Sequence, residues 1–486
     1  MSAPRIRVLE IERRERVVRL RLPFRFGVVT LTEAPQAFIR ARVQREDGRE
    51  GWGLAAELMV PKWFDKSADL TNEDNFDQLR LALAIYSDLL SANGLETPFG
   101  HFAGLYDSHI ETCASRGLNP LAAGFGPALI DRAVLDAVCR LDDLSFADAA
   151  RVNLPGMAPD RLLPEFAGFD FDGFLAGLAP LDSLDARHTV GLVDPLTAED
   201  QTAGEWVGDG LPETLEEVIA RYGHRYFKIK VGGDIENDVE RLSRIADVLD
   251  RAPDPYRVTL DGNEQYRDVD GALALFDAMA SEGDLARLVS SILFVEQPIH
   301  RDHALETDIA SLDGHFPVII DESDGDLAAF AVARDRGYTG VSSKNCKGFY
   351  KSLINLARCR KWSADDGRPY FMSAEDLTCQ AGVAVQQDLV LVALLGIPHV
   401  ERNGHHYVNG MAGATDAEQD RFLAAHPDLY QRIGGRVCAA IRGGRFEIAS
   451  LRGAGFGTSV EPDWDNMSEM KTPERAGETG EMGNHD

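Results

Sequence analysis

The chain has 486 residues, 44% apolar and 27% charged, enough for two or three domains with ordinary globular cores. Asp and Glu outnumber Lys and Arg by 79 to 50, a formal net charge of −29, which argues against nucleic acid or anionic membrane as a partner because both need basic surface. No apolar run reaches the length of a membrane span, no signal-peptide stretch opens the sequence, and the six cysteines lack paired spacing, so reduced thiols and a cytoplasmic location are expected.

Residues 5–60 alternate like a β-meander, with Asp47-Gly48 as a hairpin turn. Between its second and third strands, 23–32 reads as a loop carrying Phe24 and Phe26, and 57–67 as a second loop carrying Met59, Trp63 and Phe64. Residues 72–150 are expected to be mostly helical, with Asn72 in the first N-cap region and an insertion within 65–127. The Gly-, Pro- and Phe-rich stretch 154–181 shows no assignable pattern. From Val190 to about 425 strands and helices alternate, 431–460 is short and Gly-rich, and the acidic tail after Trp464 has too few apolar residues to fold alone. The expected division is a capping domain (1–150), a connection (151–189), a catalytic barrel (190–430), a segment returning to the cap (431–464) and a disordered tail (465–486).

Five stretches within the alternating region, 226–231, 258–263, 293–298, 318–323 and 341–347, each end an apolar strand in charge. Lys230, Asp261, Glu296, Asp321 and Lys344 follow one another at intervals of 31, 35, 25 and 23 residues, each the span of one helix plus one strand. The charges therefore recur once per strand at the end where parallel barrels keep their active sites. Residues two apart share a face, so Lys228 and Lys230 point together into the barrel while Phe227, Ile229 and Val231 face the helices. A lone buried charge costs several kcal/mol, so the inward charges require partners or a metal. Three carboxylates on neighbouring strands suit a hard dication, Mg²⁺ first and Mn²⁺ as the alternative. Asn263 reads equally as a ligand-orienting group or a turn residue. Glu375 and Glu401, at the seventh and eighth strand ends, read as substrate contacts or surface charges, and Arg25, Lys62, Phe26 and Trp63 on the cap loops as readers of substrate. Cys346 reads as a buried filler, and His405-His406 as a loop pair without function.

The motifs Lys228-Ile-Lys230, Asp261-Gly-Asn263, Glu296-Gln-Pro298, Asp321-Glu322-Ser323 and Ser343-Lys344 resemble the enolase superfamily, in the branch of muconate-lactonizing enzyme and the dipeptide epimerases. The resemblance covers about residues 5–460. It implies a modified (β/α)8 barrel of TIM type, an α/β fold, with an α+β amino-terminal capping domain completed by the carboxy-terminal segment. It further implies Asp261, Glu296 and Asp321 as metal ligands, Glu322 being the alternative to Asp321. Lys230 and Lys344 become acid and base on opposite faces of the substrate, with Lys228 a cationic neighbour that makes Lys230 a better base. Two departures stand out: residues 371–377 contain no histidine base, and Lys347-Gly348-Phe349 replaces the usual Gly-Gly pair. The implied reaction is abstraction of the α-proton of a small carboxylate through a metal-stabilised enediolate, ending in racemisation or epimerisation. The alternative is a lyase or cycloisomerase on the same site, an acid-sugar dehydratase or a succinylbenzoate-synthase-like or muconate-lactonizing-like activity. A symmetric homo-oligomer is also expected.

Overall fold

The alternating amino-terminal segment folds as antiparallel strands β1 (Ile6–Phe26), β2 (Val29–Arg45) and β3 (Glu50–Leu58). The structure, a computed structural model, describes residues 3–26, 29–201, 204, 206–252 and 254–473. Of the expected loop at 23–32, residues 23–26 and 29–32 instead continue the two strands as an arm, with Phe24 opposite Leu31 and Arg25 opposite Thr30, and residues 27 and 28 lie outside the described residues. Alternation resumes after a register shift between Arg19 and Phe24, which keeps Phe24 and Leu31 on one buried face. Phe24 stacks 4.2 Å from the ring of Tyr407, so it is no exposed aromatic. The Phe26 side chain lies outside the described residues.

Three helices lie on this sheet: α1 (Asn72–Ala92), α2 (Pro98–Ala114) and α3 (Pro120–Leu141). The first is capped at Thr71, one residue before Asn72, where Thr71 and Asp74 form a reciprocal capping box. α3 is buried along nearly its whole length and crosses β3 at Gly53. A Cβ at Gly53 would lie 2.1 Å from Ala133 O and 2.2 Å from Ala137 N, which are helix backbone and cannot rotate away. Gly53→Ala should therefore lower stability by about 1–3 kcal/mol, read from the urea midpoint; an unchanged midpoint would show that the helix can retreat without cost.

The alternating region closes into a barrel of eight parallel strands: β4 (Ser183–Val190), β5 (Tyr226–Lys230), β6 (Arg257–Asp261), β7 (Ile292–Glu296), β8 (Val318–Ile320), β9 (Gly340–Ser343), β10 (Phe371–Ala374) and β11 (His399–Arg402), with β11 paired to β4. It starts at Ser183, earlier than the expected 190, because the inward face of β4 carries Arg187 and Thr189 and so lacks a fully apolar strand signature. The stretch 154–181 contains two short 3₁₀ turns and a helix, Phe171–Ala176.

Beyond the barrel come a hairpin, β12 (Tyr430–Ile433) and β13 (Arg436–Ala439), and β14 (Arg445–Glu447), antiparallel to β4. The chain then returns to the cap. Phe456 stacks 3.7 Å from Phe146, while Asp136 on α3 accepts hydrogen bonds from Phe456 N and Thr458 Oγ1, both at 2.6 Å. The start of the expected disordered tail is ordered: β15 (Ser468–Glu469) pairs with Arg14 and Glu15 on the edge of β1, and Met467 and Met470 are buried there. Those two methionines and an unpaired sheet edge supply what composition alone did not reveal. Residues 474–486 lie outside the described residues. Among the described residues no helix is long and apolar enough to cross a membrane.

Cap and barrel also meet at Glu57, which is 1% exposed, 3.1 Å from Arg132 Nη2 and in contact with the Cys379 thiol. Burial pushes its carboxyl from the ordinary 4.5 up to about 7, the Arg132 charge opposing and Asp388 and Asp376 adding. With the folded value above the unfolded one, the contribution is full below about pH 4.5 and is lost as pH rises through 7. Relative to Glu57→Gln, the wild-type protein should therefore lose roughly 3 kcal/mol between those limits. Parallel pH profiles of the two urea midpoints would contradict this.

Candidate active site

The five charged residues that recur at the βα interval stand at, or directly after, the carboxy-terminal ends of their strands. Lys230, Asp261 and Glu296 are the last residues of β5, β6 and β7, and they stand opposite one another in register. Asp321 and Lys344 directly follow β8 and β9. Around the barrel the order is therefore Lys, Asp, Glu, Asp, Lys, with one lysine on each flank of the acidic strands.

All five are buried, and each carboxylate is turned onto an ammonium group. Lys230 Nζ lies 2.6 Å from Asp261 Oδ2, and Lys344 Nζ lies 2.6 Å from Asp321 Oδ2. Lys228 reaches further into the barrel and touches four carboxylates: Glu296 at 2.7 Å, Glu375 at 2.8 Å, Asp261 at 2.9 Å and Glu401 at 3.0 Å. Burial alone would lower its pKa, but those four charges outweigh burial and hold it well above the ordinary lysine value. Burial likewise works against the charge on Lys344, and Asp321 overrides it, raising the pKa and keeping an ammonium. Asp321 resists burial in turn through Lys344, then Lys347 and Lys228, and stays well below the usual carboxylate range.

Glu375 and Glu401 are not surface charges. They are 1% and 2% exposed and lie beneath the mouth, where Arg187 and Ser373 bind Glu375, and Thr189 Oγ1 donates to Glu401 at 2.6 Å. Asn263 is a left-handed turn residue (φ 40°) whose side chain also donates to Glu322 Oε1 at 3.2 Å. Burial, then Asp321 and Glu264, push Glu322 up to about 7, and its Oε2 has no hydrogen-bond partner. Trp63 covers the flank: Lys344 Nζ sits 4.2 Å from the centre of its ring. Arg25, in contrast, is exposed on the cap arm, and no contact to this cluster is seen among the described residues. Lys62 is turned into its own loop, donating to Ser67 O and Leu70 O, because its left-handed backbone (φ 62°) folds the loop back. Cys346 is buried and its thiol is pushed up by burial, which suits the filler reading.

Residues 210–362 match the family model described as enolase C-terminal domain-like. Solved structures align along nearly the whole chain. The L-Ala-D/L-Glu epimerase from Bacillus subtilis is 17% identical, with a TM-score of 0.56 over 92% of this chain and 98% of that one. A 2-chloromuconate cycloisomerase from Rhodococcus opacus 1CP is 16% identical, with a TM-score of 0.57 over 94% and 97%. A mandelate racemase/muconate lactonizing enzyme from Bordetella bronchiseptica RB50 is 18% identical, with a TM-score of 0.55 over 94% and 98%. The chain shares the fold of these structures, and its residues 210–362 carry the enolase C-terminal domain-like match. No curated protein sequence matches it significantly.

Within this barrel, several residues that the sequence did not place at the strand ends join the charged cluster. Lys347 is one 3₁₀ turn beyond Lys344 and donates to Ser342 Oγ at 2.7 Å while approaching Asp321 Oδ1 at 3.3 Å. The sequence marked Lys347 only as a departure from a Gly-Gly pair, and its i, i+3 spacing from Lys344 was the signal for its place beside Asp321. Gln297 (φ 36°) fixes the turn after β8: its Oε1 accepts from Asp321 N at 2.8 Å and Ser323 N at 3.1 Å. Glu264 ties cap to barrel, holding Lys66 from the cap loop and accepting from Arg301 Nε at 2.6 Å. Arg301 in turn donates to Trp63 O at 2.9 Å, which fixes the loop that carries the indole.

Proposed function

We propose that this protein abstracts the α-proton of a small carboxylate substrate, with Asp261, Glu296 and Asp321 holding a divalent cation and Lys230 and Lys344 exchanging the proton on opposite sides. The observation that carries this reading is the strand order, which sets a lysine at each flank of three adjacent acidic strands. The donor set fits Mg²⁺: every candidate ligand is a carboxylate oxygen, and the buried Glu322 Oε2 and Asn263 Oδ1 beside it lack partners. Bound there, Mg²⁺ would act as a Lewis acid on the charge that develops at the substrate carboxylate.

The chain's own groups do the rest. Lys228 and Lys230 share the Asp261 Oδ2 atom, so two cations stand beside the position of the anionic substrate. Lys228 is anchored by Glu375 and Glu401 and serves as a fixed charge, leaving Lys230 and Lys344 to carry protons. Trp63 shields Lys344 from water, which strengthens the electrostatics of that flank. Two proton carriers on opposite sides favour racemisation or epimerisation, and one similar structure is that of an L-Ala-D/L-Glu epimerase from Bacillus subtilis. Cycloisomerisation or elimination is the second reading, because a cycloisomerase aligns as well.

The test is ¹H NMR in deuterium oxide with Mg²⁺, against dipeptides, N-acyl amino acids and acid sugars. Deuterium should enter one α-carbon of an unchanged skeleton and should not enter when both lysines are replaced by alanine. Loss of water or ring closure would select the second reading. Absence of exchange together with absence of Mg²⁺ binding would overturn both.

A further inference from the structure

On the outer side of β4, away from the lysines, lies a second cluster. Residues alternate along β4, so while Arg187 and Thr189 point into the barrel, His188 points out. It meets His224, from the turn before β5, and His405, from the short helix Gly404–Tyr407 after β11; the expected loop pair is thus helical, with His405 turned toward this cluster. The three rings form a near-equilateral triangle with centroid separations of 5.3, 5.3 and 5.2 Å. One nitrogen from each ring lies within 4.8 Å of the others.

We propose that His188, His224 and His405 form a binding site for a late first-row dication, Zn²⁺ by preference, that pins the seam where the barrel closes. His188 Nδ1 and His405 Nε2 are 3.3 Å apart. That is the edge of a tetrahedron with metal–nitrogen bonds of about 2.0–2.1 Å. His224 Nδ1 donates to Ala186 O at 2.9 Å, which fixes its tautomer and leaves Nε2 as a buried lone pair without a partner. A backbone carbonyl holding the far nitrogen is the usual support of a metal-ligating imidazole. Burial, with the neighbouring rings, keeps His188 and His405 far below the ordinary value, and burial holds His224 at about 4, so all three are neutral ligands at pH 7. The nearest cations are already paired, Arg21 with Asp209 at 2.6 Å and Arg402 with Asp376 at 3.2 Å. Three imidazoles leave a fourth position, and His405, the least buried of the three, gives access from solvent.

The competing reading is a hydrogen-bonded packing cluster with no metal. Co²⁺ titrated into the full-length protein in excess Mg²⁺ should bind at one equivalent and give the intense visible band of tetrahedral cobalt, displaced by Zn²⁺. The band should survive Asp261→Asn with Glu296→Gln, which separates this site from the barrel mouth. His405→Gln, at the accessible edge, should weaken binding by about 100-fold or more while its circular dichroism melt still shows a folded protein. A wild-type protein with no tetrahedral band overturns the proposal without recourse to any variant. So does a band that persists in His405→Gln or disappears with the carboxylate variants.

Discussion

Lys344→Ala should slow interconversion of substrate stereoisomers by about 10²–10⁴-fold, the contribution of a placed general acid or base, while leaving the fold intact. The fold survives because Asp321 keeps two partners: Lys347 Nζ at 3.3 Å and the Ser342 hydroxyl. Trp63 loses its cation but stays held through its backbone by Arg301. If the two lysines serve opposite faces, Lys344→Ala and Lys230→Ala should have complementary defects. Each would still wash deuterium into the one stereoisomer whose proton faces the remaining lysine, and neither would interconvert the pair. Stereoisomer-resolved exchange in deuterium oxide reads this directly. Equal loss of exchange from both stereoisomers in both variants would mean that the lysines act together on one face.

The largest effect on stability should come from Lys228→Met. Asp261 would retain Lys230, Glu375 would retain Arg187, and Glu401 would retain the Thr189 hydroxyl and Asp376 N. Glu296 has no other cation at ion-pair distance among the described residues. It is fully buried, and burial followed by the charges of Asp261 and Glu375 already raises its pKa well above the usual range, with Lys228 opposing. Removing one partner of a buried ion network costs about 3–5 kcal/mol. The sign with pH follows. Without Lys228 the folded-state value of Glu296 rises further, so the part of the deficit that comes from its ionisation grows as pH rises above the wild-type folded value and vanishes below it, where the carboxyl is protonated in both proteins. Mg²⁺ should restore part of the loss by binding the folded state only. A urea midpoint within about 1 kcal/mol of wild type, unaffected by pH and Mg²⁺, would show that Lys228 does not hold these carboxylates together.

The barrel was legible because each strand that carries the site is a short apolar run ending in one charge, and five such runs repeat at the βα interval. Lys230, Asp261, Glu296, Asp321 and Lys344 are consequently found by counting. Arg187 was not, because it sits mid-strand among His188 and Thr189, where nothing distinguishes an inward guanidinium from a solvated one. Glu375 and Glu401 had the right spacing but no sign of depth, which here comes from Lys228 on a strand across the barrel. Glu264, Arg301 and Lys66 belong to segments up to 235 residues apart, and such pairing leaves no periodic trace. The strand end that carries Phe24 and the edge strand at Ser468–Glu469 differ from expectation for a common reason: both gain order from a neighbour distant in sequence, Tyr407 in one case and β1 in the other.

Glu264 also bears on how this two-domain fold could be re-engineered. It is a barrel residue, buried, whose charge is balanced by one cation from the barrel and one from the cap loop. The two domains are therefore not interchangeable cassettes. A barrel excised from its cap would lose Lys66 from Glu264 and Trp63 from Lys344 together, and a transplanted cap loop must bring its own basic residue to the Lys66 position before any change in its aromatic residues can be read as a change of substrate.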